Sequence, residues 1–472
     1  MRMRLLSRLP ARFAARFAAR LTGLWRHPDF LKLWMGQSVS LFGSMITGFA
    51  LPLVAILALH AGPAQIALLA GAQAVPPLLF SLAAGVWVDR LRRRPLLIAA
   101  DLGRAALLAT IPLFALLGRL SLTQLLIVAL LTSAFTVVFD LAYPAYLPTL
   151  LRPEQLVEGN SKLEASASVA EVAGFGLAGI LVQAFSAPLA IAVDAGTFLV
   201  SALTVAWIRS PEPMMPVARQ RSEPTEAGPR HASIWRELAE GLQIALGDAR
   251  RRALVGVTGI FTLFGYTLET VLTLYLLHDL HLSPAIFGPI WGVGGISAFF
   301  GAVFAGRAIR RWGSGRVIVW GAFIYTGAAL LLPLAGGPLW LIVLLLVAAQ
   351  CTDAAHTIWT IAQTSLLQRI TPARALGRLN GAMSCMQGIA TLAGLALGAA
   401  LGQTAGLRAT LFVAAFGLLL APIWLLFTPI GSLRDAGDKT DDGRAGDRAP
   451  IAAPSEPDRG EKPLLTLSDQ WT

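Results

Sequence analysis

A chain of 472 residues that is 55% hydrophobic and only 14% charged does not have the composition of a soluble protein. Soluble domains carry about 25% charged residues, so these values indicate a protein built around the hydrocarbon core of a membrane. The net charge of +11 requires no nucleic-acid partner, because basic loops of membrane proteins face anionic lipid headgroups. The two cysteines, Cys351 and Cys385, exclude a disulfide framework, and neither has a metal-ligand spacing.

Residues 1–25 form a basic, amphipathic segment. Arg12, Arg16 and Arg20 are spaced with phenylalanine and leucine between them. Such a pattern is typical of a helix that lies on the cytoplasmic leaflet. A mitochondrial transit peptide has a similar pattern. We predict the interfacial helix, because the apolar span that follows already provides membrane targeting.

Apolar stretches recur along the rest of the chain, and each is long enough to cross about 30 Å of hydrocarbon as a helix. The twelve predicted spans are 30–59, 65–88, 96–117, 121–144, 160–184, 188–208, 251–279, 284–307, 316–335, 338–364, 378–403 and 406–428. The stretch 209–250 is rich in proline and mixed charge, as a linker is. Composition predicts that the tail 429–472 is disordered. The sequence therefore predicts an all-α membrane protein with two six-helix bundles, 26–208 and 251–428.

The basic residues predict the orientation of these spans. If both termini are cytoplasmic, the loops on that side hold 21 Arg and Lys residues, against Arg119 and Arg408 on the other side. This distribution follows the positive-inside rule. We therefore predict a multi-pass protein of the cytoplasmic (inner or plasma) membrane with both termini inside. We also predict that it is a monomer.

The two halves of the chain contain related segments. Residues 85–94, which include Asp89 and several arginines, have a similar pattern 217 residues later at 302–311. Residues 147–160 are matched by 367–380. Two matches at nearly one offset indicate an internal repeat. Such repeats are expected to place a binding site near the membrane midplane, between the halves.

Polar side chains inside the spans suggest where that site lies, because burying them in hydrocarbon costs free energy. The first, fourth, seventh and tenth spans each carry a polar stripe on one helical face. Gln37 lies on the first stripe, Tyr266 on the seventh and Gln350 on the tenth. Hydroxyl groups can instead bond back to their own helix, and this alternative accounts for the serines and threonines of the first span.

Three ionisable side chains at membrane depth are the main candidates for substrate or proton binding. Asp353 and His356 share one face of the tenth span. Histidine titrates near physiological pH, so this pair is a candidate proton acceptor, and a structural hydrogen-bonded pair is the alternative. Glu269 could hold a cationic substrate or exchange a proton. Glu171 is a weaker candidate, since it is expected nearer the cytoplasmic side, and Asp194 is expected to be structural.

The turn after the second span resembles the loop between helices two and three of major facilitator superfamily transporters. It reads Gly85-Val86-Trp87-Val88-Asp89-Arg90-Leu91-Arg92-Arg93-Arg94-Pro95. Residues 143–160, 194–202 and 368–380 extend the resemblance, which covers 26–428. It is nearest to the branch that contains macrolide efflux proteins and the enterobactin exporter.

The resemblance implies a conformational charge relay on the cytoplasmic side. Its predicted members are Asp89, Arg90, Arg93, Asp140, Asp101 and Arg104. A cluster of arginines that merely sets the topology is the alternative interpretation of the turn. The sequence departs from the family at Phe175, where many proton-coupled antiporters have the proline of a Gly-Pro pair.

Together these features predict a secondary active transporter, a proton-coupled exporter of amphipathic small molecules of the drug or siderophore type. A solute importer of the same fold is the alternative, and a non-transporting sensor or scaffold is less favoured because the linker is too short for a soluble domain. The expected partners are a small-molecule substrate, protons and membrane lipids. No enzymatic activity is predicted, because none of the six histidines has an aspartate five residues later, and no ATP-driven pump is predicted, because no phosphate-binding glycine-rich loop with a lysine occurs in a soluble segment. No cofactor, metal or nucleic acid is predicted either.

Overall fold

The computed structural model describes residues 24–80, 92–152, 155–210 and 234–430, and the regular elements within these ranges are all helical. The first half contains α1 (Pro28–Leu59), α2 (Pro63–Phe80), α3 (Arg93–Leu116), α4 (Leu122–Leu150), α5 (Leu156–Ala184) and α6 (Ala187–Ala206). Helix α7 (Ile234–Gly247) lies in the linker. The second half contains α8 (Ala249–Leu274), α9 (Pro284–Trp312), α10 (Ser314–Ala328), α11 (Leu331–Leu334), α12 (Leu339–Gln350), α13 (Asp353–Ile370), α14 (Ala373–Thr404) and α15 (Leu407–Leu426).

The predicted all-α membrane architecture is confirmed. Eleven helical stretches within the described ranges are long and apolar enough to cross a membrane; three of them join neighbouring elements, namely α8 with the π-turn Tyr275–Asp279, α10 with α11, and α12 with α13. The predicted span 65–88 begins in α2, and its end lies outside the described residues. The count of twelve therefore stays a prediction, as do the two-bundle boundaries and the orientation of the termini.

Side-chain caps explain where two of the helices begin. The hydroxyl oxygen of Ser121 accepts a hydrogen bond from the backbone N–H of Gln124 (3.3 Å) at the start of α4. Asp248 accepts from the N–H groups of Arg250 (2.9 Å) and Arg251 (3.1 Å) at the start of α8. These caps satisfy backbone donors that have no partner within the helix. The cap at Asp248 also marks the boundary between α7 and α8.

Buried apolar side chains join the two halves at one end of the bundle. This end is opposite the linker, and we call it the distal end. A single buried cluster there contains residues of α1–α6 together with residues of α8, α9, α11 and α12. The rings of Phe49 in α1 and Phe287 in α9 have centroids 5.1 Å apart. At the linker end, the buried apolar residues that the structure describes form two separate clusters, one in each half.

Glycines allow the backbones of α5 and α9 to approach closely at the distal end. A Cβ atom on Gly288 would lie 2.8 Å from Cα of Gly179 and 3.0 Å from the carbonyl oxygen of Phe175. Real Cβ atoms rarely approach other atoms so closely, and backbone atoms cannot move aside as a flexible side chain can. Small residues are the usual means of close helix packing in membranes. The contact between halves therefore depends on the absence of a side chain at Gly288.

Replacing Gly288 with valine should separate the halves at the distal end. Spin labels at Arg119 in the first half and Thr404 in the second, both exposed, would report the distance between the halves in a variant with Cys351 and Cys385 replaced by serine. We expect the distance distribution measured by double electron–electron resonance to move to longer values than in the same protein with Gly288. Gly327→Val, at a site with no atom near the added Cβ, is the matched control. An unchanged distribution would contradict the role of this contact.

Candidate functional site

The structure brings five of the predicted site residues to one cavity in the second half. The cavity has a volume of about 310 Å³ and lies among α8, α10, α11, α12, α13 and α15. The five are Tyr266, Glu269, Gln350, Asp353 and His356. The polar stripes predicted on the seventh and tenth spans thus face the same space. Ligand pockets of this kind are lined mainly by apolar side chains with a few polar groups that fix orientation.

A break in the tenth span shapes the cavity and was not predicted from the sequence. Helix α12 ends at Gln350, and α13 begins at Asp353. Ser297 of α9 donates its hydroxyl hydrogen to the carbonyl oxygen of Cys351 (2.6 Å) and accepts from the N–H of Ala354 (3.0 Å). These bonds satisfy backbone groups that the break exposes, as the membrane interior requires. The carboxylate of Asp353 consequently lies in the first turn of α13, where the helix dipole favours negative charge.

His356 is surrounded by aromatic rings. Its imidazole stacks on Tyr325 (4.6 Å between centroids) and Phe261 (5.2 Å), and Trp359 meets it edge-on (5.5 Å). No hydrogen bond joins the side chains of His356 and Asp353, both of which are in the described part of the chain. The two groups therefore line the same cavity without a hydrogen bond to each other, and aromatic rings surround the imidazole.

A second cavity lies between the halves and adjoins the first. Its volume is about 600 Å³, and it is bounded by α1 and α2 of the first half and by α8 and α14 of the second. Tyr266 and Glu269 line both cavities, so one carboxylate faces the space within the second half and the space between the halves. Pro52, Ile66 and Leu395 are among the apolar lining residues. Neither cavity has a described lysine or arginine in its lining.

Glu171 of α5 lies close enough to Asp353 for their charges to interact across the two halves. The backbone of its neighbour Val172 packs against Gly295, and Gly294 on the same helix α9 packs against the carboxylate of Asp353. Two carboxylates in this arrangement repel each other when both are ionised. The sequence indicated Glu171 as the weaker candidate, and the structure places it nearer to the site than expected.

Gln37 is the predicted site residue that lines neither of these two cavities. It lies on α1, and its side-chain oxygen is buried without a hydrogen-bond partner among the described residues. The polar stripe on α1 nevertheless continues toward the site, because Gly48 and Pro52 of the same helix line the cavity between the halves. The residues of α1 that line this cavity thus lie several turns further along the helix than Gln37.

An ion pair occupies the interior of the first half. The guanidinium of Arg104 contacts the carboxylate of Asp101, and both side chains are at least 95% buried. Arg104 also lies between two rings, with its guanidinium carbon 4.5 Å from the centroid of Phe139 and 4.1 Å from that of Phe198. A buried charge is retained only when it is paired and in close contact with suitable partners. The prediction that Asp101 and Arg104 act together is consistent with this geometry.

Of the other predicted relay residues, the structure describes Asp140 and Arg93 but not Asp89 and Arg90. Asp140 is close enough to Arg104 for electrostatic interaction, and so is Asp194, which was not predicted to join the group. Arg93 is the first residue of α3. Asp89 and Arg90 lie outside the described residues. The relay itself therefore stays a prediction.

A family model described as Major Facilitator Superfamily matches residues 33–365. The chain belongs to the Major Facilitator Superfamily. It is accordingly a transport protein and not an enzyme, as predicted.

Several relatives within the superfamily are named efflux proteins. The multidrug efflux pump Tap of Mycolicibacterium fortuitum is 28% identical over 398 residues, which cover 82% of this chain and 92% of Tap. Macrolide efflux protein A of Streptococcus pyogenes is 29% identical over 184 residues, which cover 39% of this chain. The match spans 45% of that protein.

The fold is also found in solved superfamily structures. A bacterial homologue of the iron transporter ferroportin, in its inward-facing state, superimposes with a TM-score of 0.63. That alignment covers 84% of this chain and 98% of the homologue, at 18% identity. Identity at this level establishes the shared fold, and the chemistry of the site must be argued from the residues of this chain.

Sequence reasoning missed some residues that shape the second-half cavity and the buried ion pair. Ser297 looks like one of many hydroxyl residues in a span, and its partner Cys351 is 54 residues away. Phe139 and Phe198 look like ordinary apolar residues until Arg104 is found between them. Asp194 carried a detectable signal, a carboxylate at membrane depth, but its place in the sequence suggested only a structural role.

Proposed function

We propose that this chain is a proton-coupled exporter of amphipathic small molecules that works by alternating access. The observation that carries the proposal is the position of Glu269, which faces both the cavity of the second half and the cavity between the halves. Asp353 and His356 line the same second-half cavity, so a substrate and a proton can compete for neighbouring groups. Ionisable residues at membrane depth are expected to be functional.

The lining of the two cavities supports an amphipathic substrate. The larger cavity offers apolar walls from proline, leucine and isoleucine side chains, and the smaller offers two carboxylates with aromatic rings beside them. A molecule with an apolar body and a polar or basic group would bury the body between the halves and direct the group toward Glu269. With no arginine or lysine in the described linings, the site favours cationic or neutral groups over anionic ones.

The packing between the halves supports alternating access. The buried cluster that contains Phe49 and Phe287 closes the distal end, whereas the two linker-end clusters are separate. A transporter in this arrangement receives or releases substrate at the linker end. If the termini are cytoplasmic, as the arginine distribution predicts, this is the state in which an exporter loads its substrate. The efflux relatives favour export over import.

Accumulation assays test the proposed function. Efflux-deficient cells that express the protein would be exposed to a panel of dyes, antibiotics and siderophores, with and without a protonophore. We expect lower accumulation of at least one basic amphipathic compound, reversed by the protonophore, and loss of the effect in Glu269→Gln. Asp279→Asn, an exposed carboxylate at the distal end, is the matched control. Higher accumulation in expressing cells would instead indicate an importer, and no change across the panel would contradict drug export.

A further inference from the structure

The first half contains a cavity of its own that is lined by many oxygen atoms. Its volume is about 260 Å³, and it lies among α1, α2, α3, α4 and α6. The hydroxyl residues in its lining are Ser44, Thr47, Thr132, Ser133 and Thr136. Asp194 is the carboxylate in the lining, and Phe198 covers one wall. The cavity adjoins the one between the halves at Gly48 and Gln73, and it shares no lining residue with the second-half cavity.

The carboxylate of Asp194 is buried and only half satisfied. The residue is 1% exposed, and Oδ1 accepts a hydrogen bond from the hydroxyl of Thr197 (2.9 Å). Among the described residues, no donor meets hydrogen-bond geometry at Oδ2, and the hydroxyl of Thr47, which has no other partner there, lies close enough to interact with the carboxylate. Thr132 contributes another buried hydroxyl without a partner in the same described set. An ionised carboxylate in such a place is costly unless a positive group or further hydrogen bonds compensate it.

Two hydroxyl groups of the cavity have already used their hydrogen atoms elsewhere. Ser133 donates to the carbonyl oxygen of Gln73 (2.7 Å), and Thr136 donates to the carbonyl oxygen of Thr132 (2.9 Å). A hydroxyl group has one hydrogen to donate and two lone pairs that accept. The oxygen atoms of Ser133 and Thr136 can therefore only accept from a group inside the cavity. Together with the carboxylate of Asp194 they offer oxygen acceptors, which is the chemistry of a cation site.

The charges around the cavity leave negative charge in excess. Arg104 is the cation that interacts with Asp101, Asp140 and Asp194, and its guanidinium directly contacts Asp101. One positive charge thus faces three carboxylates when all are ionised. Arg104 packs on Phe198, whose side chain lines the cavity, and within the described part of the chain no hydrogen bond joins its guanidinium to Asp194. A further positive charge beside Asp194 would reduce the imbalance.

We propose that this cavity binds a sodium ion, with Asp194 Oδ2 and the hydroxyl oxygens of Thr47 and Thr132 as its protein ligands. Hard cations take oxygen ligands of this kind. A divalent metal is disfavoured, because the described residues contain no group of three or more His, Cys, Asp or Glu side chains that could hold one. The cavity also has room for water molecules, each of which needs about 30 Å³, to complete the coordination shell. The sodium site exists independently of the direction of transport and of the substrate.

Binding of radioactive sodium to the purified full-length protein tests this site directly. Protein in detergent would be titrated with ²²Na⁺ at constant ionic strength, with choline replacing sodium, and thermal unfolding would be followed in parallel. We expect saturable binding and a rise in the unfolding temperature with sodium. Asp194→Asn should abolish both effects, and Thr132→Val should weaken sodium binding at least about tenfold, since loss of even an outer-shell partner of a metal site commonly costs about 10–100-fold in affinity.

Thr326→Val is the matched control for Thr132→Val, because Thr326 is a buried threonine in α10 that bonds to its own helix. It should leave sodium affinity unchanged. If Asp194→Asn does not fold, the comparison of the two threonine variants decides the matter alone. Absence of saturable sodium binding in the natural protein would overturn the proposal. So would stabilisation by acid alone that Asp194→Asn removes, which would assign a proton to the site instead. None of these readouts depends on export, so the site can fail while the proposed function stands.

Discussion

Replacing Asp353 with asparagine is expected to abolish gradient-driven transport in a protein that still folds. The carboxylate lies in the first turn of α13, lines the second-half cavity and interacts electrostatically with Glu171 of the other half. Asparagine has nearly the same shape but cannot bind or release a proton. The structural cost should be small, since loss of a charge at a helix N-terminus costs about 0.3–1 kcal/mol. The side chain of Asp353 has no hydrogen bond or ion pair in the described residues that would be lost.

Transport by Asp353→Asn is best measured in proteoliposomes that contain the purified protein and an imposed pH gradient. The first substrate found in the accumulation panel would serve as cargo. We expect gradient-driven uptake to fall to the level of protein-free vesicles, while gradient-independent exchange of labelled for unlabelled substrate persists. Asp279→Asn, in an exposed carboxylate at the distal end, should transport normally. Normal gradient-driven flux in Asp353→Asn would refute the assignment of this carboxylate to coupling.

Replacing Arg104 with methionine is expected to destabilise the protein severely. The guanidinium contacts Asp101, lies between Phe139 and Phe198, and interacts electrostatically with Asp140 and Asp194. Methionine keeps much of the length and apolar contact but leaves buried carboxylates without this cation. Removing one partner of a buried ion pair costs about 3–5 kcal/mol. That is a large fraction of the roughly 5–15 kcal/mol by which folded proteins are stable.

The double variant Asp101→Leu/Arg104→Met separates the loss of pairing from the loss of packing. Replacing a whole buried ion pair with apolar residues is often neutral or stabilising, so the double variant should unfold at a higher temperature than Arg104→Met alone. Tryptophan fluorescence during heating of the detergent-solubilised protein would measure both. Arg119→Met, in an exposed residue, should change little. If Arg104→Met unfolded at the temperature of the natural protein, the ion pair would have no stabilising role.

The two halves have different interiors despite related helix boundaries. Helix α4 ends at Leu150 and α13 at Ile370, and in each the next residue is extended. The matched segments at 147–160 and 367–380 in the sequence contain these ends. The interior of the first half holds the Arg104 ion pair, and that of the second half holds His356 among aromatic rings. The sequence repeat is therefore accompanied by similar helix ends but not by similar chemistry.

Local sequence features predicted the class, most of the spans and most of the candidate residues. Hydropathy over about 20 residues depends on composition alone, because a spanning helix satisfies its backbone hydrogen bonds internally and needs only apolar side chains around it. A polar side chain within such a stretch is unusual whatever its neighbours are, so hydropathy alone distinguishes Glu269, Asp353 and His356 from the residues around them. The boundary between α7 and α8 at Asp248 could also have been predicted from the sequence, since aspartate is a common N-cap residue.

The tertiary structure alone decided what those residues face. Glu269 belongs to two cavities because α8 borders both, and Glu171 is near enough to interact electrostatically with Asp353 because α5 packs against α9. The break before Asp353 is stabilised by Ser297 from another helix. Each of these relations joins residues distant in sequence, and it depends on which helix faces pack together. Helix packing is set by the combined shape of many side chains, so no local pattern encodes it.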